Sequence, residues 1–457
     1  MVAGDQSDPA DVLIIGGGPA GYVAAIRAAQ LGRSVTLIER SRVGGVCLNE
    51  GCIPSKHLAH FAAVKASAER QAPAGMPAFS GPPDMATFQK SRASAISTLV
   101  KGVSSLLEAA GVKVVAGSAR FVGRTRVCVE IGEERVRYFD FKDVVIATGS
   151  QSNVMPGLAF DGERIVEPGR ALEWDVLPNS LLVAGDDYIA LEIAVAYARL
   201  GSRVTLATAG DSLLPDFDRD LSAAAHRGAR AAGVAVLLST DSAAVVEKAA
   251  QVERSVVSAG RRPNFAELDL QAVGLSRPAG QFKVDPQLRL DRHVFAIGDI
   301  TEGLPLAHRA MMQGRVAGDV LGGKSAAFDA RAVPRAVFAE PEIAAVGLTE
   351  AEAEAQGIEI AIGRFPLAAL GRAVIEPATK GFAKLVFAKG GGALLGAHLA
   401  GSVATELIAE MALAVEMGAT AEDVALTVHA HPTFAEALVE AAEVSLGRPI
   451  HVRPPKR

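Results

Sequence analysis

The stretch from Asp11 to Glu39 limits what this chain can fold into more than any other. Asp11-Val-Leu-Ile-Ile15 is a short apolar run, the pattern of a strand buried on both faces of a parallel sheet. Gly16-Gly-Gly18-Pro-Ala-Gly21 follows at once and opens a helical pattern that ends near Leu31-Gly32. Val35-Thr-Leu-Ile38 supplies a second strand, and Glu39 lies eighteen residues beyond Gly21. Strand, glycine turn, helix, strand and acid in that order make a dinucleotide-binding unit. Gly16, Gly18 and Gly21 permit close backbone approach, the helix start offers N–H groups to a pyrophosphate, and Glu39 is placed for a ribose.

The pattern occurs twice. Leu181-Leu-Val-Ala184, the turn from Gly185 to Ala190, the helix to Leu200-Gly201 and Val204-Thr-Leu-Ala207-Thr208 repeat residues 12 to 39 at a constant offset of 169. The copy differs where a ligand would touch it. Asp187 stands in the place of Gly18, Thr208 in that of Glu39, and Ala190 in that of Gly21. A carboxylate about 5 Å from a phosphate opposes it by roughly 1–3 kcal/mol. The plainer reading is that Asp186 or Asp187 caps the helix. Both leave a carboxylate on the N–H groups an anion would need. No arginine follows Thr208, so a 2′-phosphate gains nothing either.

Two of the three cysteines in 457 residues fall in Gly44-Gly-Val-Cys47-Leu-Asn-Glu-Gly-Cys52-Ile-Pro-Ser-Lys56. Cys52 and Pro54 open an apolar periodic run (Ile53, Leu58, Ala59, Ala62), so the pair is predicted to straddle the first turn of a helix. Unpaired N–H groups and the helix dipole there favour thiolate, the form that exchanges with disulfides. No second cysteine pair or histidine pair at ligand spacing accompanies the motif, which argues against a metal. Inert burial is the plain alternative, and it is the reading for Cys128 in Arg126-Val-Cys-Val-Glu130.

With these motifs together, the chain resembles the FAD-dependent pyridine-nucleotide disulfide oxidoreductases, and most of all the dihydrolipoamide dehydrogenases among them. The resemblance implies that the first unit holds FAD through Gly16, Gly18, Gly21, Glu39 and Gly45. It makes Cys52 the flavin-facing thiol, Cys47 the one that exchanges with substrate, and Lys56 the lysine near flavin N5, paired with Glu192. Tyr188 matches the family's aromatic over the nicotinamide face of the flavin. Val144-Val-Ile-Ala-Thr148-Gly149 matches a second FAD contact, Asp299 in His293-Val-Phe-Ala-Ile-Gly298-Asp299 the contact to the ribityl chain, and Leu306-Ala307-His308-Arg-Ala310 continues the match. Met311 and Met312 stand where acids are usual.

The second unit is the one this family uses for NAD(P), so the resemblance makes NAD(P) binding doubtful here. Between Leu213-Leu-Pro215 and Gly260-Arg-Arg-Pro-Asn264 the family carries a strand, a hairpin and a returning strand. This chain offers Ala244-Val-Val-Glu-Lys248 and Glu253-Arg-Ser-Val-Val257 with a short link, a trimmed version. His429-Ala-His431-Pro432-Thr433-Phe434-Ala435-Glu436 matches a family signature in which His431 serves as acid–base across a two-fold dimer and Glu436 orients it. Imidazole chemistry suits that role. Val46 and Glu50 depart from the pattern. Glu50 either disfavours thiolate and repels acidic substrates or is an exposed loop charge.

The fold expected is α/β, with two Rossmann-like (ββα-type) dinucleotide-binding domains and an α+β dimerisation or interface domain. The boundaries expected are 1–155 and 265–332 for the FAD domain, 156–264 for a shortened central domain and 333–457 for the interface domain. A formal net charge of -5 offers no basic footprint for nucleic acid or anionic lipid. Residues 1 to 10 carry no apolar signal core, and no run approaches a membrane span, so a cytoplasmic protein is expected. Three functions fit: a homodimeric thiol/disulfide oxidoreductase with weakened NAD(P) binding, a flavoprotein passing electrons from a small or carrier-tethered thiol to oxygen, and a non-catalytic assembly subunit. Intact Cys47, Cys52, Lys56, Glu192, His431 and Glu436 speak against the last.

Overall fold

A computed structural model describes residues 7–75, 77, 81–132 and 135–453. Residues 70 to 84 are rich in Pro, Ala and Gly and are expected to form a surface connection; part of it, and the first six residues of the chain, lie outside the described residues. The chain forms two compact units, one of Met1–Pro54, Thr87–Asn153 and Gly260–Asp329, the other of Ser55–Ala86, Val154–Ala259 and Ala330–Arg457.

In the first unit the apolar run lies inside strand Ser7–Ile15, between strands Val35–Glu39 and Arg135–Ile146, parallel to both. Val12, Leu13 and Ile14 have no exposed surface, and each such side chain contributes roughly 1.5–3 kcal/mol through burial. Strand Val294–Ala296 lies parallel to Arg135–Ile146 on its other side, Lys113–Ala116 extends the opposite edge, and Ser118–Gly123 and Arg126–Ile131 pair antiparallel beside the long strand. Register aligns Ile15 with Ile146 and Ile146 with Ala296. Gly16, Thr148 and Gly298 therefore leave the sheet at one edge. Helix Pro19–Gln30 packs on helix Ala307–Leu321, where Gly314 and Gly318 leave no room for a Cβ against Ala20 and Arg27.

The second unit holds two sheets. In the parallel one, strand Ser180–Ala184 lies between Arg203–Ala207 and Arg254–Val257, with Ala235–Leu237 and Ile165–Val166 at the edges. With helix Tyr188–Leu200 it repeats the strand–helix–strand order of the first unit. One expectation fails: Ala244–Lys248, read as a strand, belongs to helix Ser242–Ala250. Asp241 caps that helix by accepting the Ala244 N–H at 2.8 Å, and Val245 and Ala249, four residues apart, are its buried face. The other sheet is antiparallel, ordered Arg335–Val337, Ile343–Gly347, Leu394–Ala400, Phe382–Ala388, Ile360–Pro366, and is covered by helices Ala404–Met417 and Glu436–Ser445.

A buried charge cluster joins these two sheets' segments. Lys384, on strand Phe382–Ala388, is 2% exposed, and its ammonium lies 2.9 Å from Asp218, 2.9 Å from Glu350 and 3.3 Å from Asp220. Asp218 also caps helix Arg219–Ala231. Burial works against its carboxylate, but Lys384 and the Asp220 N–H outweigh it and hold its pKa below the usual range. Lys384→Met leaves that carboxylate buried without its cation, at a cost of about 3–5 kcal/mol. A clear fall in the urea midpoint is expected, partly recovered by adding Asp218→Asn; an unchanged midpoint would contradict the assignment.

Candidate active site

The first unit presents an open cradle at the edge where its strands end. Gly16 has φ 106°, and a Cβ there would run into the carbonyl of Ala147. Gly45 has φ 56°, and its Cβ would stand 2.7 Å from the Cα of Gly18. Glu39 accepts the Gly17 N–H at 2.7 Å and the Ser41 N–H at 2.8 Å, fixing the turn. Helix Pro19–Gln30 starts at Gly18 with no side-chain cap among the described residues and no acid in its first turn. Its N–H groups and dipole are left for an anion.

Polar groups around the cradle point the same way. Thr148 Oγ1 is buried with no hydrogen-bond partner among the described residues, a cost of about 1–3 kcal/mol unless a ligand supplies one. Asp299 accepts a hydrogen bond from Ser150 Oγ at 2.6 Å, and Arg261 donates to the same Oγ through Nε and to the Ser150 carbonyl through Nη2, both at 2.7 Å. Ser150 and Arg261 were not singled out in the sequence; the signal was present in Gly260-Arg-Arg-Pro, which had served only as a boundary. Ala307 opens helix Ala307–Leu321, again without an acid in its first turn. The glycine approach, the uncapped helix and the orphaned Thr148 hydroxyl fit FAD.

The cysteines stand on either side of a helix start, with Cys52 opening the helix as expected. They do not share one helical turn: Cys47 lies in the short helix Gly45–Asn49, and Cys52 begins helix Cys52–Gln71. The break falls at Glu50-Gly51, whose N–H groups both turn back to the Val46 carbonyl, at 2.8 and 2.7 Å. Both cysteines are half-buried, while Glu50 is exposed. Asn49, buried between them, donates to the Val43 and Gly45 carbonyls and keeps Oδ1 without a partner among the described residues.

In the second unit, Lys56 Nζ lies 3.1 and 2.8 Å from the two oxygens of Glu192, a carboxylate 4% exposed. The Tyr188 ring lies 6.0 Å from the same ammonium. His431 Nδ1 lies 2.8 Å from Glu436, and its side chain is 78% exposed. Burial pushes the Glu436 carboxyl up, but the Thr433 N–H and His431 outweigh it, leaving it below the ordinary range. A carboxylate held ionised on Nδ1 leaves Nε2 to work outward.

The second glycine turn is closed. Asp187 is the N-cap of helix Tyr188–Leu200, accepting the Ala190 N–H at 2.8 Å and the Ser258 hydroxyl at 2.8 and 2.9 Å. Thr208 Oγ1 donates to Asp186 at 2.8 Å. Of the two alternatives for this turn, the geometry is that of the cap. Burial pushes Asp187 up to about 6 against the pull of Ala190 and Ser258.

These features define a flavoprotein built on two dinucleotide-binding folds, one open and one altered. A model of the pyridine nucleotide-disulphide oxidoreductases matches residues 10–314, and one of their dimerisation domain matches residues 333–442. The chain belongs to this family. It is a flavin-dependent disulfide oxidoreductase of the dihydrolipoyl dehydrogenase type, with FAD as its cofactor. It is 40% identical over 470 residues to the dihydrolipoyl dehydrogenase of Bacillus subtilis (strain 168), covering 99% of this chain and 100% of the relative. The enzyme of that name from Geobacillus stearothermophilus is 40% identical over 469 residues, covering 99% of each. Among solved structures, LpdA from Mycobacterium tuberculosis superposes with TM-score 0.86 at 27% identity, covering 95% of this chain and 99% of that one. The HOCl-induced flavoprotein disulfide reductase RclA from Escherichia coli gives 0.83 at 26%, with coverage of 95% and 99%. Among the described residues no helix is long and apolar enough to cross a membrane.

The raised Asp187 value carries a pH signature. Its contribution to stability is complete below the ordinary value of 3.8 and is lost as pH rises through about 6, because the unfolded chain ionises first. Asp187→Asn keeps a capping oxygen and removes the titration. The variant is expected to be more stable than the parent at pH 8, by on the order of 1–3 kcal/mol after discounting for partial exposure, and equal to it near pH 4. Thermal unfolding across that range measures it, and a parent that is the more stable at pH 8 would contradict the burial of this carboxylate.

Proposed function

We propose that the chain is a homodimeric FAD-dependent oxidoreductase that takes two electrons from a small or carrier-bound dithiol through Cys47 and Cys52, with NAD(P) binding weakened or lost. The contrast between the helix starts at Gly18 and Asp187 carries this reading: one is open to a pyrophosphate, the other is occupied by its own carboxylate. The alignment with the B. subtilis relative spans 470 positions against 457 residues here, so that relative has residues this chain lacks. That agrees with a trimmed central domain. A reducing compartment such as the cytoplasm suits a dithiol that must cycle.

In the oxidised enzyme the pair is taken as a disulfide. The partner subunit's His431 removes a proton from one substrate thiol, and the thiolate attacks the sulfur of Cys47. The S–S bond breaks, and Cys52 leaves as a thiolate. The second substrate thiol then displaces Cys47, completing the substrate disulfide and returning two electrons to the cysteine pair. Glu436 holds the imidazole with Nε2 facing outward throughout. When bound, FAD supplies the two-electron step between this dithiol and the final acceptor. On this reading Lys56 is the cation that faces the flavin and Glu192 holds its ammonium in place, with Cys52 and Lys56 one turn apart on the same helix.

Oxygen as the acceptor is the second reading, favoured by the same closed turn. Anaerobic titration separates the two. Millimolar NADH is expected to reduce the flavin slowly or not at all, a dithiol such as dihydrolipoamide to reduce it readily, and admitted oxygen to reoxidise it with release of peroxide. Asp187→Gly with Thr208→Glu should recover part of the NADH reaction. Rapid stoichiometric reduction of the unmodified protein by micromolar NADH would overturn the loss of NAD binding. His431→Gln is expected to slow thiol oxidation by roughly 10²- to 10⁴-fold, the reach of a positioned acid–base group, and stopped-flow reduction measures it.

A further inference from the structure

Glu192 has a third neighbour besides Lys56 and the helix that carries it. Its Oε1 accepts the backbone N–H of Phe338 at 2.9 Å. The ring of the same residue lies against the other half of the pair, its centroid 4.9 Å from Lys56 Nζ. Phe338 follows directly on strand Arg335–Val337, which pairs with Ile343–Gly347, so its backbone is held by a sheet.

We infer that Phe338 is a positioning residue for the Lys56 charge: its N–H pins the Glu192 carboxylate while its ring face seats the ammonium. The inference rests on the role proposed above for Lys56 on the flavin side of the site. A lysine ammonium has a flexible four-carbon stem, and one carboxylate partner leaves it free to swing about the two oxygens. An aromatic face within about 6 Å attracts a cation through its quadrupole, by roughly 2- to 5-fold in occupancy at a half-exposed site. Tyr188, at 6.0 Å, lies at the limit of that range. Phe338 is therefore the ring that fixes where the charge stands, and a charge near the flavin favours the reduced, more negative cofactor in proportion to its closeness.

Phe338→Leu removes the ring and retains the N–H to Glu192. Its flavin should be harder to reduce by roughly 2- to 10-fold in the reduction equilibrium, a midpoint lowered by about 10–30 mV at 29.6 mV per decade for a two-electron couple. Phe338→Tyr should keep the parent value. FAD content and the unfolding midpoint should stay near the parent's, and Phe338→Met provides the same comparison if leucine is poorly accommodated. Lys56→Gln is measured beside them and should lower the midpoint further; added to it, Phe338→Leu should have no additional effect. An unchanged midpoint in Lys56→Gln would defeat the role of the lysine itself. A shift in Lys56→Gln without one in Phe338→Leu, or one that persists in the double variant, would defeat only the role of Phe338.

Discussion

The helix Pro19–Gln30 begins on a glycine, and the cofactor cradle depends on what that leaves undone. An α-helix cannot bond its own first N–H groups, and the aligned peptide dipoles put about half a positive charge there. In most helices a serine, threonine or acid satisfies those groups. Here Gly18 brings no side chain, Pro19 has no N–H to satisfy, and Glu39 is turned onto Gly17 and Ser41 instead. The result is an anion site made of backbone, reachable because Gly18 and Gly45 can pass so close together. The parallel register of three strands then brings Thr148 and Asp299 to the same edge.

The buried ion pairs are a different class of interaction. Removing two charges from water costs several kcal/mol, so a buried pair is weak ground for stability, and its value lies in fixing geometry. Lys384 with Asp218 and Glu350 joins a strand of the antiparallel sheet to the start of helix Arg219–Ala231. Lys56 with Glu192 likewise fixes the place of an ammonium, and the Phe338 N–H satisfies an oxygen that would otherwise be partly bare. His431 and Glu436 differ again, because the histidine is largely exposed and only the carboxylate is held from within.

The fold could be read from the sequence where local pattern and tertiary environment agree. Apolar runs at Val12–Ile15 and Leu181–Ala184 bounded by glycine are strands in a buried parallel sheet whatever surrounds them. Ala244–Lys248 was misread because three apolar residues followed by Glu-Lys do not distinguish strand from helix; Asp241, the cap that decides it, lay just outside the window. The helix start at Cys52 was legible from the apolar run behind it, whereas the short helix Gly45–Asn49 that carries Cys47 has no periodic run long enough to announce it. Ser150 and Phe338 were beyond reach for another reason. Each acts on a residue more than one hundred positions away, through contacts that strand pairing creates and no spacing announces.

The altered second unit keeps its helix for a reason that the first unit makes visible. At the offset of 169, Gly17 and Glu39 correspond to Asp186 and Thr208. In one copy the backbone of the turn donates to the acid at the strand end, and in the other the strand-end hydroxyl donates to an acid in the turn. The contact survives with its polarity reversed. Replacing a glycine N-cap with aspartate changes helix stability by only about a few tenths of a kcal/mol, so the helix is kept. That matters because helix Tyr188–Leu200 carries Glu192 in its second turn. On the proposed reading, a chain with no further use for a pyrophosphate there still needs this helix, since the Lys56 charge is anchored to it. On that reading a carboxylate at 187 fills the anion site while leaving the helix start about as well capped as a glycine would.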